Sequence, residues 1–217
     1  MANDGPVRSF MDGPKINWCY GHAPDYTAIN QLYLEEKTQN HAADSLEKIV
    51  ENLVKTWEME ATHKIDPQDW GSVDPDKYVI SANNGKRWKM SEVTERGTYN
   101  MLMHDSPLYD AKGHTFQSSH DLFRGAMPRG FAFEVLKVLQ GPPTVIFTWR
   151  HWGHWEGPYE GKEPTNEMVE MHGLCVVPVN DNLKIEAIEV YYDPHPFIAT
   201  FMGKSTGACP MHRAAQS

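Results

Sequence analysis

Cysteine is scarce in this chain: 217 residues hold three, Cys19, Cys175 and Cys209. Their odd number and distant spacing fit neither a disulfide scaffold nor a Cys-x-x-Cys metal site, so reduced thiols are expected. Cys175, in an apolar run, reads as a small buried hydrophobe, and Cys209, before Pro210, as part of a tail. Basic residues are also few and scattered. Twenty Lys and Arg against 29 Asp and Glu leave a formal charge of −9, which disfavours nucleic acid and anionic membrane surfaces as partners. No run approaches the roughly 20 apolar residues of a membrane span, and Met1 to Trp18 carries no basic segment followed by an apolar stretch. A soluble, cytoplasmic protein without a membrane partner is the expectation. Neither Gly-x-Gly-x-x-Gly nor a P-loop occurs, which removes the usual nucleotide footholds. The eleven histidines contain no helical His-x-x-x-His, and His151 and His154, three apart on a strand, point to opposite faces. No metal and no cofactor are expected.

What the chain does have is aromatic surface: 7 Trp and 9 Tyr in a sequence that is 40% hydrophobic, a composition suited to a lined cavity. Its length predicts one large domain. Residues 1–44 read as an arm laid over that domain, with a short helix near Tyr26 to Lys37. The domain spans 45–203, and 204–217 form a flexible tail. Asp44 and Glu47 suggest a capping box, and behind them Leu46, Ile49, Val50, Leu53, Val54 and Trp57 repeat at helical spacing, predicting a helix from Ser45 to Lys64. Turn residues break up Ile65 to Met90 around one short strand at Tyr78 to Ser81. Ser91 begins a second helix through Leu102, and a third runs from Thr115 to Phe123. After Gly130 the period changes to that of strands: Phe131–Leu139, Val145–Gly153, Met168–Val179 and Lys184–Tyr192. Four strands on short turns make an antiparallel meander, and helices followed by sheet make an α+β fold.

The stretch from Val145 to Pro158, with Thr148-Trp149-Arg150-His151-Trp152-Gly153 at its centre, then Pro164-Thr165, Gly173, Lys184-Ile185 and Tyr192-Asp193, resembles SnoaL-like proteins. These belong to the nuclear transport factor two-like superfamily. Arg8-Ser9-Phe10, Thr56-Trp57-Glu58-Met59-Glu60, His63-Lys64, Pro128-Arg129-Gly130-Phe131-Ala132 and Cys209-Pro210 resemble more narrowly the plant and fungal pathogen-related protein group, across nearly the whole chain. The resemblance implies a cone-shaped SnoaL-like fold, with N-terminal helices packed in a curved, mainly antiparallel sheet. It places the ligand between the long first helix and the concave face. The superfamily hosts cyclases, dehydratases, isomerases and non-catalytic binding proteins alike.

Alternation in Val145–Gly153 puts Phe147, Trp149 and His151 on one face. His151 among aromatic rings is either a desolvated, neutral base or a core histidine bonded to backbone. In the preceding strand Lys137 marks the wet face and leaves Glu134 on the drier one, as an acid/base partner for His151 or as a structural ion pair with Arg150 or Lys64. Glu60 and His63, near the end of the long helix, are second-tier catalytic candidates or a solvated helix end. Trp57, Trp149 and Tyr192 are expected to contact substrate. Glu189 joins them, because SnoaL-like cyclases keep an acid in that neighbourhood, although Ile185, Ala187 and Ile188 suggest a bulge there. Trp155, with Tyr159, reads as part of a lid or as an ordinary turn. Phe131, Phe133 and Trp152 read as an outward apolar face suited to a homodimer. The expectation is a cofactor-independent enzyme of specialised metabolism that cyclises, dehydrates or isomerises a small apolar or aromatic oxygenated substrate. The alternative is a non-catalytic small-molecule-binding, stress- or pathogen-related protein.

Overall fold

The computed structural model describes residues 5–13 and 15–203; the expected tail, with Cys209, lies outside them. Helix α1 spans Thr27–Glu36 and the long helix α2 Leu46–His63. The cap of α2 is Ser45 rather than Asp44: its hydroxyl accepts the Lys48 N–H at 3.2 Å, and Glu47 in the first turn complements the helix dipole. The single helix expected from Ser91 is two, α3 (Met90–Arg96) and α4 (Thr98–Met103), split at Gly97. Gly97 has φ +83°, and a Cβ there would sit 3.1 Å from the His120 ring and 3.2 Å from Phe116, so both backbone and space require glycine. Thr115 caps α5 (Phe116–Ala126) through the Ser118 N–H, and Ser118 returns the bond to Thr115.

Strands β1 (Val79–Ala82), β2 (Trp88–Lys89), β3 (Ala132–Gln140), β4 (Thr144–His154), β5 (Met168–Pro178) and β6 (Ala187–Tyr192) form one sheet in the order β2-β1-β6-β5-β4-β3. The expected meander β3 to β6 is antiparallel throughout, and β1 joins it parallel to β6. The expected irregularity at 185–188 is not in the last strand. β6 starts at Ala187 and pairs regularly, Ile185 makes isolated bridges to Val73 and Val179, and the register shifts fall in β3, between Val135 and Lys137 and between Val138 and Gln140. A last helix, α6 (His195–Phe201), was masked in the sequence by Pro194 and Pro196. Proline is tolerated there because a first-turn N–H has no helical partner.

The two faces of the sheet take different partners. On the concave face lie α2 and the main core; on the convex face α1 stacks Tyr33 on Trp152, ring centres 6.3 Å apart, beside buried Leu32 and Ala132. Trp152 is therefore buried, and Phe131 and Phe133 face the interior, so none of the three forms the outward apolar face expected from the sequence. Between α1 and α2 the chain turns around edge strand β3. Glu134 accepts the N–H groups of Thr38 (2.8 Å) and Gln39 (3.1 Å) and the Thr38 hydroxyl, and pairs with Arg150 at 3.3 Å. Where the β3 ladder shifts, Glu51 of α2 accepts the Val135 N–H at 3.0 Å and His41 bonds the Val135 carbonyl at 2.6 Å. The free edge is thus covered at Val135, and both backbone groups of that residue are satisfied.

Candidate functional site

Between α2 and the concave sheet lies a cavity of about 820 Å³, within the range of pre-formed small-molecule sites. Its inner wall is apolar, from Val50 and Val54 of α2 across to Phe147, Cys175 and Val190 of the sheet. Arm residues Arg8, Tyr20 and Tyr26 and Arg124 of α5 line its outer part. Gly173 shapes the floor: it pairs with Trp149 across β4 and β5, and a Cβ there would collide with the indole. Burial pushes the Cys175 thiol up to about 12, so it is a neutral wall atom and no nucleophile.

The polar centre of the cavity is His151. Its ring stacks on Phe131 with centres 3.7 Å apart and meets Phe133 edge-on at 5.6 Å, which fixes its plane. Nδ1 lies 2.7 Å from the Ala132 carbonyl, an acceptor, so Nδ1 carries the hydrogen. Nε2 then points at Glu58 Oε1, 3.1 Å away. A hydrogen bond at that distance requires one proton between the two acceptors. With the proton on Nε2, Glu58 is a carboxylate base; with it on Oε1, the bare Nε2 is the base. Glu58 keeps 30% of its side chain exposed and lines the cavity, so the pair is within reach of a ligand.

His63 also lines the cavity, with Nδ1 2.7 Å from the Thr62 hydroxyl. Burial first, then the charge of Arg124, lowers it to about 4, so it is neutral at ordinary pH. Burial likewise lowers His120 to about 4; its Nδ1 lies 2.8 Å from the Phe116 carbonyl.

The other sequence candidates divide sharply. Trp57, Trp149 and Tyr192 line the cavity; the Trp57 N–H donates to the Tyr78 hydroxyl at 2.8 Å, and the Tyr192 hydroxyl closes on the Leu102 carbonyl. Glu134 does not meet His151. In the β3–β4 register Phe133 opposes His151 and Glu134 opposes Arg150, on the convex side, where Glu134 closes the network described above. Lys137 misled the alternation because the bulge at Val135/Lys137 resets it. Glu60 is buried away from the cavity, accepting from Lys64 (3.0 Å), the N–H groups of Gly71 and Ser72, and the Ser72 hydroxyl. It pins the loop after α2. Glu189 does not line the cavity and accepts the Tyr191 hydroxyl at 3.3 Å. Trp155 is buried against Phe201, its N–H on the Gly157 carbonyl, and Tyr159 stacks on the same Phe201. That loop packs on α6. Glu58 went unseen in the sequence, yet its signal was present: Val50, Val54, Glu58 and Thr62 recur every four residues, and this ridge faces the cavity.

Among the described residues no three His, Cys, Asp or Glu side chains converge as metal ligands, and no helix is long and apolar enough to cross a membrane.

Fold and site together define a class: a cone-shaped α+β protein with an apolar, aromatic-walled cavity holding one His–Glu pair. No family model matches the sequence. The chain is 38% identical over 223 residues to the pathogen-related protein of Hordeum vulgare, covering 96% of this chain and 95% of that one. It belongs to the pathogen-related protein family. Similar solved structures include a protein described as a SnoaL-like polyketide cyclase, from Jannaschia (12% identity, 78% of this chain, 99% of that one, TM-score 0.41). Another, from Catenulispora acidiphila, has a ketosteroid isomerase-like fold and was solved with trimethylamine (12% identity, 70% and 92%, TM-score 0.40).

Proposed function

We propose that this protein is a cofactor-independent enzyme that moves a proton on a small, apolar, oxygen-bearing molecule, the step shared by cyclisation, dehydration and isomerisation. The observation that carries this reading is the His151–Glu58 pair, Nε2 and Oε1 3.1 Å apart in the wall of the cavity. The Ala132 carbonyl and the Phe131 ring fix the imidazole, so little reorganisation accompanies the transfer. The pair takes a proton from a carbon beside a substrate carbonyl. The C–H electrons move into the carbonyl to give an enolate, and a proton from the pair, which exchanges with solvent at the part-exposed Glu58, is delivered to the same or another atom of that molecule. Apolar walls keep bulk water from intercepting that intermediate.

The competing reading is a binding protein that holds the same class of molecule unchanged. Incubation in D2O with cyclic ketones and 1,3-dicarbonyl compounds separates the two. Carbon-bound deuterium is expected to appear faster than in buffer, with His151→Phe slowing it by about a hundredfold or more. Saturable binding with exchange only at the buffer rate would end the enzymatic reading and leave the binding one.

A further inference from the structure

The outer cavity wall carries a row of rings and cations. The Arg124 guanidinium lies 4.4 Å from the centre of the Tyr20 ring, and the Arg8 guanidinium 3.7 Å from that of Tyr26. Between the two tyrosines stands His63, 5.9 Å from each ring. The result is an arch with a guanidinium at either foot and a neutral imidazole at its crown. Arg8 is half-buried and uses Nη1 on Asn30 at 2.9 Å; Arg124 makes no hydrogen bond or ion pair with any described residue. Guanidinium carries five N–H donors, so most of the donors here are unspent. The carboxylates nearby are otherwise engaged. Glu58 holds His151, while Asp25 and Asp121 sit on the exposed rim, taking Thr27 and Gln117. Arg129, also on the rim, is paired with Glu156. In a chain of net charge −9, two cations free of ion pairs facing one apolar cavity are an anion's complement.

We propose that the ligand is an amphipathic carboxylate whose charged end is held by Arg8 and Arg124 under the His63 arch and whose apolar body reaches inward to the His151–Glu58 pair. This names the substrate class for the site proposed above and rests on that reading for what happens to the molecule, though not for how it binds. Neutral His63 adds no competing charge, and the stacked tyrosines hold the guanidiniums in place at little further entropic cost.

Calorimetric binding of matched pairs tests it: 1-naphthylacetate against 1-naphthylacetamide, and decanoate against decanamide. The acid of at least one pair is expected to bind about tenfold or more tightly than its amide. Arg124→Gln and Arg8→Gln are expected to erase that preference, Arg124→Lys to keep part of it, and Arg129→Gln to leave it intact. Equal binding of acid and amide, binding of no probe, or an Arg129→Gln effect as large as that of Arg124→Gln overturns the proposal. Glu58→Gln separates this from the acid/base reading, since it is expected to stop deuterium exchange while the preference for acid remains.

Discussion

His151 shows how few contacts convert an ordinary imidazole into a directed one. A carbonyl on Nδ1 sets the tautomer, a phenyl ring sets the plane, and a carboxylate on Nε2 supplies the proton partner. The sequence placed His151 on the correct face of its strand, together with Phe147 and Trp149, because β4 runs without a bulge. It misassigned the partner for a physical reason: a β3 bulge cannot be read from alternation alone. Two other histidines, His63 and His120, give the residue scale its own prediction. Each takes up a proton near 6.5 when unfolded and near 4 when folded. The unfolded chain therefore binds more protons in that window, so their contribution is complete above pH 6.5 and is lost as pH falls toward 4. For His120, which is 2% exposed, the loss is on the order of 3 kcal/mol. Urea midpoints measured from pH 8 to 4 should fall across this range, and His120→Phe should flatten the fall. A wild-type midpoint independent of pH would contradict the assignment.

At the scale of elements, buried carboxylates act as fasteners. Glu60 ties α2 to the loop at Gly71 and Ser72, and Glu134 ties the turn between α1 and α2 to edge strand β3. Removing Glu60 leaves Lys64 buried without its carboxylate. Glu60→Ala is expected to cost about 3–5 kcal/mol in chemical unfolding, with no change in ligand affinity at matched folded fraction. Gly173→Ala acts on the cavity floor: its Cβ displaces the Trp149 indole and should destabilise by about 1–3 kcal/mol while weakening ligand binding. Helices α1, α2 and α5 and the meander were legible from period and capping residues. The split at Gly97, the short β2 and α6 were not, because a left-handed glycine, a two-residue pairing and a proline-flanked helix depend on tertiary neighbours.

For the whole molecule, the chain passes from the convex side to the concave side of one sheet, and each side receives a different function. Outside, α1 covers Trp152 and Ala132; inside, α2 and the sheet enclose the cavity. Phe131, Phe133 and Trp152 are all engaged within the subunit and offer no outward face for the homodimer expected from the sequence. The same division separates a structural acid from the proposed catalytic one: Glu134 belongs to the outer face and the edge, Glu58 to the cavity. Deuterium exchange into a bound carbonyl probe, run side by side on Glu58→Gln and Glu134→Gln with their urea stabilities, tests this most directly. Glu58→Gln is predicted to lose exchange at near wild-type stability, and Glu134→Gln to keep exchange at reduced stability. Exchange that survives in Glu58→Gln and vanishes in a folded Glu134→Gln would contradict the account.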